Sequence, residues 1–101
     1  MVNPNLVAAA IAHVEGFYST LSLAFRHKNP GNLRHHPPAY DEYTTIEAGW
    51  WALVEDILKN GDLSLAAFLT KYAPNTENNT QAYIADVCKL TGYSPGEKIG
   101  A

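Results

Sequence analysis

The sequence predicts a mostly α-helical single domain, and three observations carry that expectation. Apolar residues recur at helical spacing in four separate segments. Start and stop signals bracket those segments, from Asn3-Pro4 before the first to Gly92 after the last. No internal repeat, low-complexity tract or linker interrupts the 101 residues, so positions 1–101 read as one unit.

The first helix opens at Asn3, with Pro4 at the favoured first helical position. Leu6, Val7, Ala10, Ile11, Val14, Phe17, Tyr18 and Leu21 form its apolar stripe, which frays between Gly16 and Leu21. From Leu23 to Tyr43 no helical period persists. Asn29-Pro30-Gly31-Asn32 is a turn signal, with Pro30 suited to the second turn position and Gly31 to a positive φ. Pro37-Pro38 forces a further extended or turned stretch. An irregular loop is expected here, or a short hairpin around Leu33 and Tyr43, and loops of this length are often functional.

Thr44-Thr45-Ile46-Glu47 reads as a capping box opening the second helix, with Thr44 and Glu47 satisfying each other's free amides. Trp50, Leu53, Val54, Ile57 and Leu58 form its buried stripe, and Gly61 ends it. A third helix begins after Ser64, buries Leu65, Phe68, Leu69 and Tyr72, and stops before Pro74. A fourth follows the polar run from Asn75 to Thr80 and buries Tyr83, Ile84, Val87 and either Cys88 or Leu90. Tyr93-Ser94-Pro95-Gly96 reads as a turn into a frayed tail.

Composition narrows the function classes. Hydrophobic residues at 47% and charged residues at 17% describe an ordinary globular chain. Seven basic against ten acidic residues, a net charge of -3, argue against a general nucleic-acid binder. Cys88 is the single cysteine, which excludes an internal disulfide and a cysteine-based zinc site. His35 and His36 are adjacent and so point apart, and no HExxH motif accompanies them; neither a metal site nor a cofactor is expected. No apolar run approaches the ~20 residues of a membrane span, and residues 1–4 lack the start of a signal peptide. A monomer is the expected state.

Three features could carry chemistry. Glu15 shares a helical row with Ile11 and Tyr18, near a helix end where Gly16 leaves room. A carboxyl set against apolar surface has its charged form disfavoured and can act as a proton donor near neutral pH. The plain alternative is a boundary glutamate whose head reaches water. Between Gly16 and Tyr40 there is no acid, while Arg26, His27, Lys28, Arg34, His35 and His36 fall there. Such a cationic loop suits an anionic or carboxylate-bearing substrate, although a solvated loop would look the same. Six tyrosines, with Tyr40 and Tyr43 in the loop and Tyr72 and Tyr83 near helix ends, supply aromatic faces with hydroxyl edges suited to sugar rings. Asn29, Asn32, Asn78 and Asn79 add amides that read hydroxyl and N-acetyl groups, and Asn79 doubles as a helix cap.

Several of these residues fall into one pattern: Val14-Glu15-Gly16-Phe17, Arg26 to Arg34 with Asn29-Pro30-Gly31-Asn32-Leu33-Arg34 at its centre, and Tyr43 to Trp50. It continues through Lys71-Tyr72-Ala73-Pro74, Glu77-Asn78-Asn79-Thr80 and Tyr83. From about Ile11 to Gly92 the chain resembles the small lysozyme-like domains of phage virion and bacterial proteins, which are related to lytic transglycosylases and goose-type lysozymes. Where soluble transglycosylases carry Glu-Ser, this chain has Glu15-Gly16, so the likeness is to the small variant subgroup.

The resemblance implies a lysozyme-like helical fold and cleavage of the β-1,4 bond after N-acetylmuramic acid in peptidoglycan. It implies that Glu15 is the general acid and then the base, and that Tyr83 helps orient sugar and acid. The Asn29 to Leu33 segment would line the cleft. Asn29, Asn32, Tyr43, Tyr72, Asn78 and Tyr83 are the expected substrate-binding set. The partner would be peptidoglycan glycan strands, met at the cell wall by a virion-associated or exported protein.

Ordinary glycosidases pair two carboxylates. Asp41, Glu42 and Glu47 are the next acids along the chain, and the capping box would occupy Glu47. A route with one carboxyl is therefore expected, in which the substrate's acetamido group stabilises the sugar cation. The rival class is a non-catalytic peptidoglycan-binding or virion structural module that keeps the fold. A nucleic-acid adaptor using the Arg26 to His36 loop ranks third, because the net charge is negative.

Overall fold

Every helix of this protein starts at a polar side chain that accepts the first free backbone N–H groups. In the computed structural model, which describes residues 1–100, Asn3 opens α1 (Pro4–Val14) and Ser22 opens α2 (Leu23–Arg26). Thr45 opens α3 (Ile46–Leu58), Ser64 opens α4 (Leu65–Tyr72) and Asn79 opens α5 (Thr80–Thr91). Gly92 closes α5 in the left-handed conformation at φ 79°. The chain is mostly helical, with no strand among the described residues. α1 packs against α3 and α5, and α5 also packs against α4. Their shared core is built on Val7, Ile11, Leu53, Ile57, Leu65, Phe68, Leu69 and Val87, all fully buried.

Several local expectations are corrected. α1 stops at Val14, because Glu15 caps it and Gly16 turns the backbone to φ 80°. Phe17 then joins a small second cluster with Ala12 and Ala24, against Trp50, while Leu21 is left 86% exposed. α2 is a single turn, too short to show a period, nucleated by the Ser22 Oγ that accepts the Phe25 N–H. The cap of α3 is Thr45, which accepts the Ala48 N–H at 3.1 Å, so Glu47 stands one place too early to complete a capping box. Leu58 and Leu90 face solvent, and Trp50 is half-buried. α3 ends on the right-handed Lys59, not on Gly61.

The closing segment is not frayed. The first amides of α4 need acceptors, and the tail supplies them: Leu65 donates to the Glu97 carbonyl and Ala66 to the Pro95 carbonyl, both at 2.8 Å. Ile99 enters the core, its own N–H bonded to the Leu63 carbonyl, and Val2 donates to the Lys98 carbonyl.

Between α2 and α3 the loop is a buried-amide knot and not a hairpin. Asn29 is fully buried; its Oδ1 accepts the Leu33 N–H at 2.9 Å, and its Nδ2 donates to the carbonyls of Leu33 (3.0 Å) and Asp41 (2.9 Å). A lone bridge joins His36 to Ala39. Gly31 is required by close approach: a Cβ there would overlap the Tyr72 hydroxyl and stand 2.7 Å from a Leu53 methyl. The positive φ values expected at Gly31 fall instead on Lys28 (53°) and Asn32 (49°). Gly49 serves likewise, since a Cβ on that helical residue would strike the Lys28 carbonyl.

Candidate active site

Where α1 ends, its last turn presents Glu15 to a cleft of about 440 Å³. Two donors grip the carboxyl. The Tyr83 hydroxyl, from the first turn of α5, donates to Oε2 at 2.6 Å. Asn32 Nδ2, from the loop, donates to Oε1 at 3.1 Å. The packing of α1 on α5 brings Tyr83 within reach, and the left-handed backbone at Asn32 accompanies the close approach of its amide to Glu15. Burial above all, and then the neighbouring Glu15 charge, hold the Tyr83 phenol far above its ordinary pKa, so it stays a neutral donor. Tyr72 is likewise held well above its ordinary value, first by burial, and its hydroxyl donates to the Gly31 carbonyl. The two rings lie 6.4 Å apart, centroid to centroid.

Of the residues predicted for the site, Glu15, Asn32, Tyr72 and Asn78 line the cleft together. Tyr83 lies behind Glu15, buried, and reaches the cleft only through that carboxyl. Asn29 and Tyr43 do not form its wall. Asn29 spends its whole amide inside the loop, which makes it a shape-giving residue and corrects its assignment as a sugar ligand. The Tyr43 hydroxyl donates to Asp41 Oδ2 at 3.2 Å, and its pKa is pushed up to about 12, by burial first and then by Asp41. Asn79 is the α5 cap.

Part of the cationic loop is spent within the protein. Arg34 and His35 reach the cleft. Arg34 Nη2 donates to both oxygens of Glu77, at 2.7 and 2.6 Å, tying the loop to the segment between α4 and α5. Its guanidinium also lies 5.3 Å from the centre of the Tyr40 ring. The His35 ring is bonded to Asp41 Oδ2, and its backbone N–H to Oδ1 at 3.2 Å. Burial opposes the Asp41 charge, but the His35 ring and amide and the Tyr43 hydroxyl together outweigh it and hold the carboxyl below its ordinary range.

Asp41, Glu42 and Glu47, the next acids along the chain, are all off the cleft wall; its acids besides Glu15 are Asp56 and Glu77. Sequence reasoning did not single out Asp56 or Asn60, and it named Lys71 only within the Lys71-Tyr72-Ala73-Pro74 pattern. One signal was available, because Asp56 and Asn60 are four apart and share a helical row. Among the described residues no group of three or more His, Cys, Asp or Glu is placed to hold a metal ion. No helix among the described residues is long and apolar enough to cross a membrane. Compared with family models, curated proteins and solved structures, the chain shows no significant match.

Proposed function

We propose that the protein is a peptidoglycan-cleaving glycosidase acting on the β-1,4 bond between N-acetylmuramic acid and N-acetylglucosamine, on a lysozyme-like fold, with Glu15 as general acid and then base. One observation carries this reading: a half-buried carboxyl, aimed by the Tyr83 hydroxyl and the Asn32 amide, opens into a polar cleft of about 440 Å³. A catalytic carboxyl needs a fixed orientation as much as it needs a proton.

In the proposed reaction Glu15 gives its proton to the glycosidic oxygen as the bond from that oxygen to the sugar C1 breaks. The substrate's acetamido oxygen closes on C1 and holds the positive charge. Glu15, now a carboxylate, takes a proton from the attacking hydroxyl and is reset. Attack by the muramyl 6-hydroxyl leaves an anhydro sugar, and attack by water leaves a reducing end. Of the two further acids on the cleft wall, Asp56 and Glu77, the second is already engaged by Arg34, which favours this route over one that uses Glu77.

A second reading has its own support. The bonds that orient Glu15 also join α1 to α5 and to the loop, which is what a purely structural carboxyl would do in a glycan-binding module. Mass spectrometry of material released from purified sacculi separates the readings. Anhydro or reducing ends that vanish in Glu15→Gln support the glycosidase, whereas retention on sacculi without release supports the binding module.

A further inference from the structure

Three basic side chains line the cleft, Arg34, His35 and Lys71, and they are met differently. Arg34 is held by Glu77 and His35 by Asp41. Lys71, on the last turn of α4, forms no ion pair among the described residues. Its Nζ donates to Asn60 Oδ1 at 3.0 Å instead. Asn60 is buried, 8% exposed, and its own Nδ2 is fixed on the Asp56 carbonyl at 2.8 Å, so its oxygen cannot swing away. A neutral amide oxygen aims an ammonium without cancelling its charge. An ammonium has three donors, and Asn60 takes one.

The two loop residues that reach the cleft are thus each paired with a carboxylate, while a helix lysine outside that loop is oriented with no acid partner. We infer that Lys71 is a specificity residue: its ammonium takes a carboxylate borne by the side arm of a bound glycan, and the cleft therefore prefers muramyl chains over plain N-acetylglucosamine chains. This rests on the reading of the cleft as a glycan site, but not on its cutting the glycan.

Two tetrasaccharides test it. One alternates N-acetylglucosamine with N-acetylmuramic acid bearing free lactyl carboxylates; the other is chitotetraose, which lacks them. Binding is measured by chemical-shift titration of the full chain carrying Glu15→Gln, which prevents turnover. The muramyl chain should bind about five- to tenfold more tightly, as one charge-assisted hydrogen bond in a wet cleft provides. Adding Lys71→Gln should bring the two affinities together without changing that for chitotetraose, and Lys71→Arg should keep the preference. Raising salt from about 0.05 to about 0.5 M should narrow it, since exposed charges are screened.

Equal affinities in the parent, a preference that survives Lys71→Gln, or equal weakening of both ligands by that change overturns the inference. Digestion of sacculi by the unmodified chain is scored separately. Intact sacculi alongside a Lys71-dependent preference would remove the glycosidase and leave this inference standing. Cleavage alongside a Lys71-independent preference would do the reverse.

Discussion

The Tyr83 hydroxyl stands 2.6 Å from Glu15 Oε2, joining the first turn of α5 to the end of α1 across 68 positions of sequence. The phenol cannot ionise near neutral pH, so it serves as a fixed donor whatever Glu15 does. Asn32 holds the other oxygen. A carboxyl gripped at both oxygens has little freedom left to wander, and that restriction sets the expected behaviour of its variants.

Glu15→Gln should lower glycan cleavage by about 10²–10⁴-fold, the usual contribution of general acid catalysis, because an amide cannot protonate the leaving oxygen. The fold should persist, since Gln keeps the shape and accepts the Tyr83 bond. Turbidity loss of sacculi and the thermal midpoint are measured on the same pair of proteins. Undiminished cleavage by the Gln variant would take Glu15 out of the mechanism.

Tyr83→Phe removes the donor and keeps the ring. We expect kcat to fall about tenfold and stability to drop by about 1–2 kcal/mol, as the hydrogen bond from the phenol to the Glu15 carboxyl is lost. Steady-state kinetics on a soluble muropeptide substrate, with urea denaturation alongside, checks both. A loss of stability with kcat unchanged would reduce Tyr83 to a packing role.

Asn29→Ala should destabilise the protein by about 2–4 kcal/mol, because it orphans the Leu33 N–H and the Asp41 carbonyl and leaves the Leu33 carbonyl with the Asp41 N–H alone. Proteolysis should then begin in the segment from Leu33 to Asp41. If the variant instead kept full stability and lost only glycan binding, Asn29 would be a ligand after all.

Phe68→Ala should cost about 3–5 kcal/mol, since the ring is 1% exposed at the centre of the core. Trp51→Ala, at 63% exposure, should stay within about 0.5 kcal/mol. Denaturation midpoints of the two variants decide whether the helices are phased as described.

Asp41 makes stability depend on acid. Its carboxyl is held below the ordinary value near 3.8, so its contribution is present above that value and is lost as pH falls through the lower, folded value. Asp41→Asn should therefore flatten the fall of the thermal midpoint below about pH 4 and lower the midpoint at neutral pH. An unchanged acid limb would show that Asp41 does not govern it.

Much of this was legible beforehand. Caps at Asn3, Ser64 and Asn79, the stop before Pro74 and the left-handed Gly92 are local events, set by residues within four positions of each other. The core stripes at Leu53, Val54 and Ile57, and at Leu65, Phe68 and Leu69, follow from periodicity alone. Glu15, too, could be singled out from the helical row it shares with Ile11 and Tyr18.

The rest depended on partners far away in the chain. Nothing near Asn29 announces that its amide will be swallowed by its own loop, nor does anything near Gly31 announce the Tyr72 hydroxyl pressed against it. The tail looked free because the acceptors it offers are wanted by α4, some thirty residues earlier. Lys71 was only one member of a sequence pattern until the turn after α3 brought the Asn60 amide to its ammonium. Sequence by itself determined the helices and where most of them start and stop, because helical periods and caps are decided by neighbours. Only the tertiary structure decided which polar groups face the cleft and which are consumed in holding it, because a buried amide or charge must find a partner wherever packing supplies one.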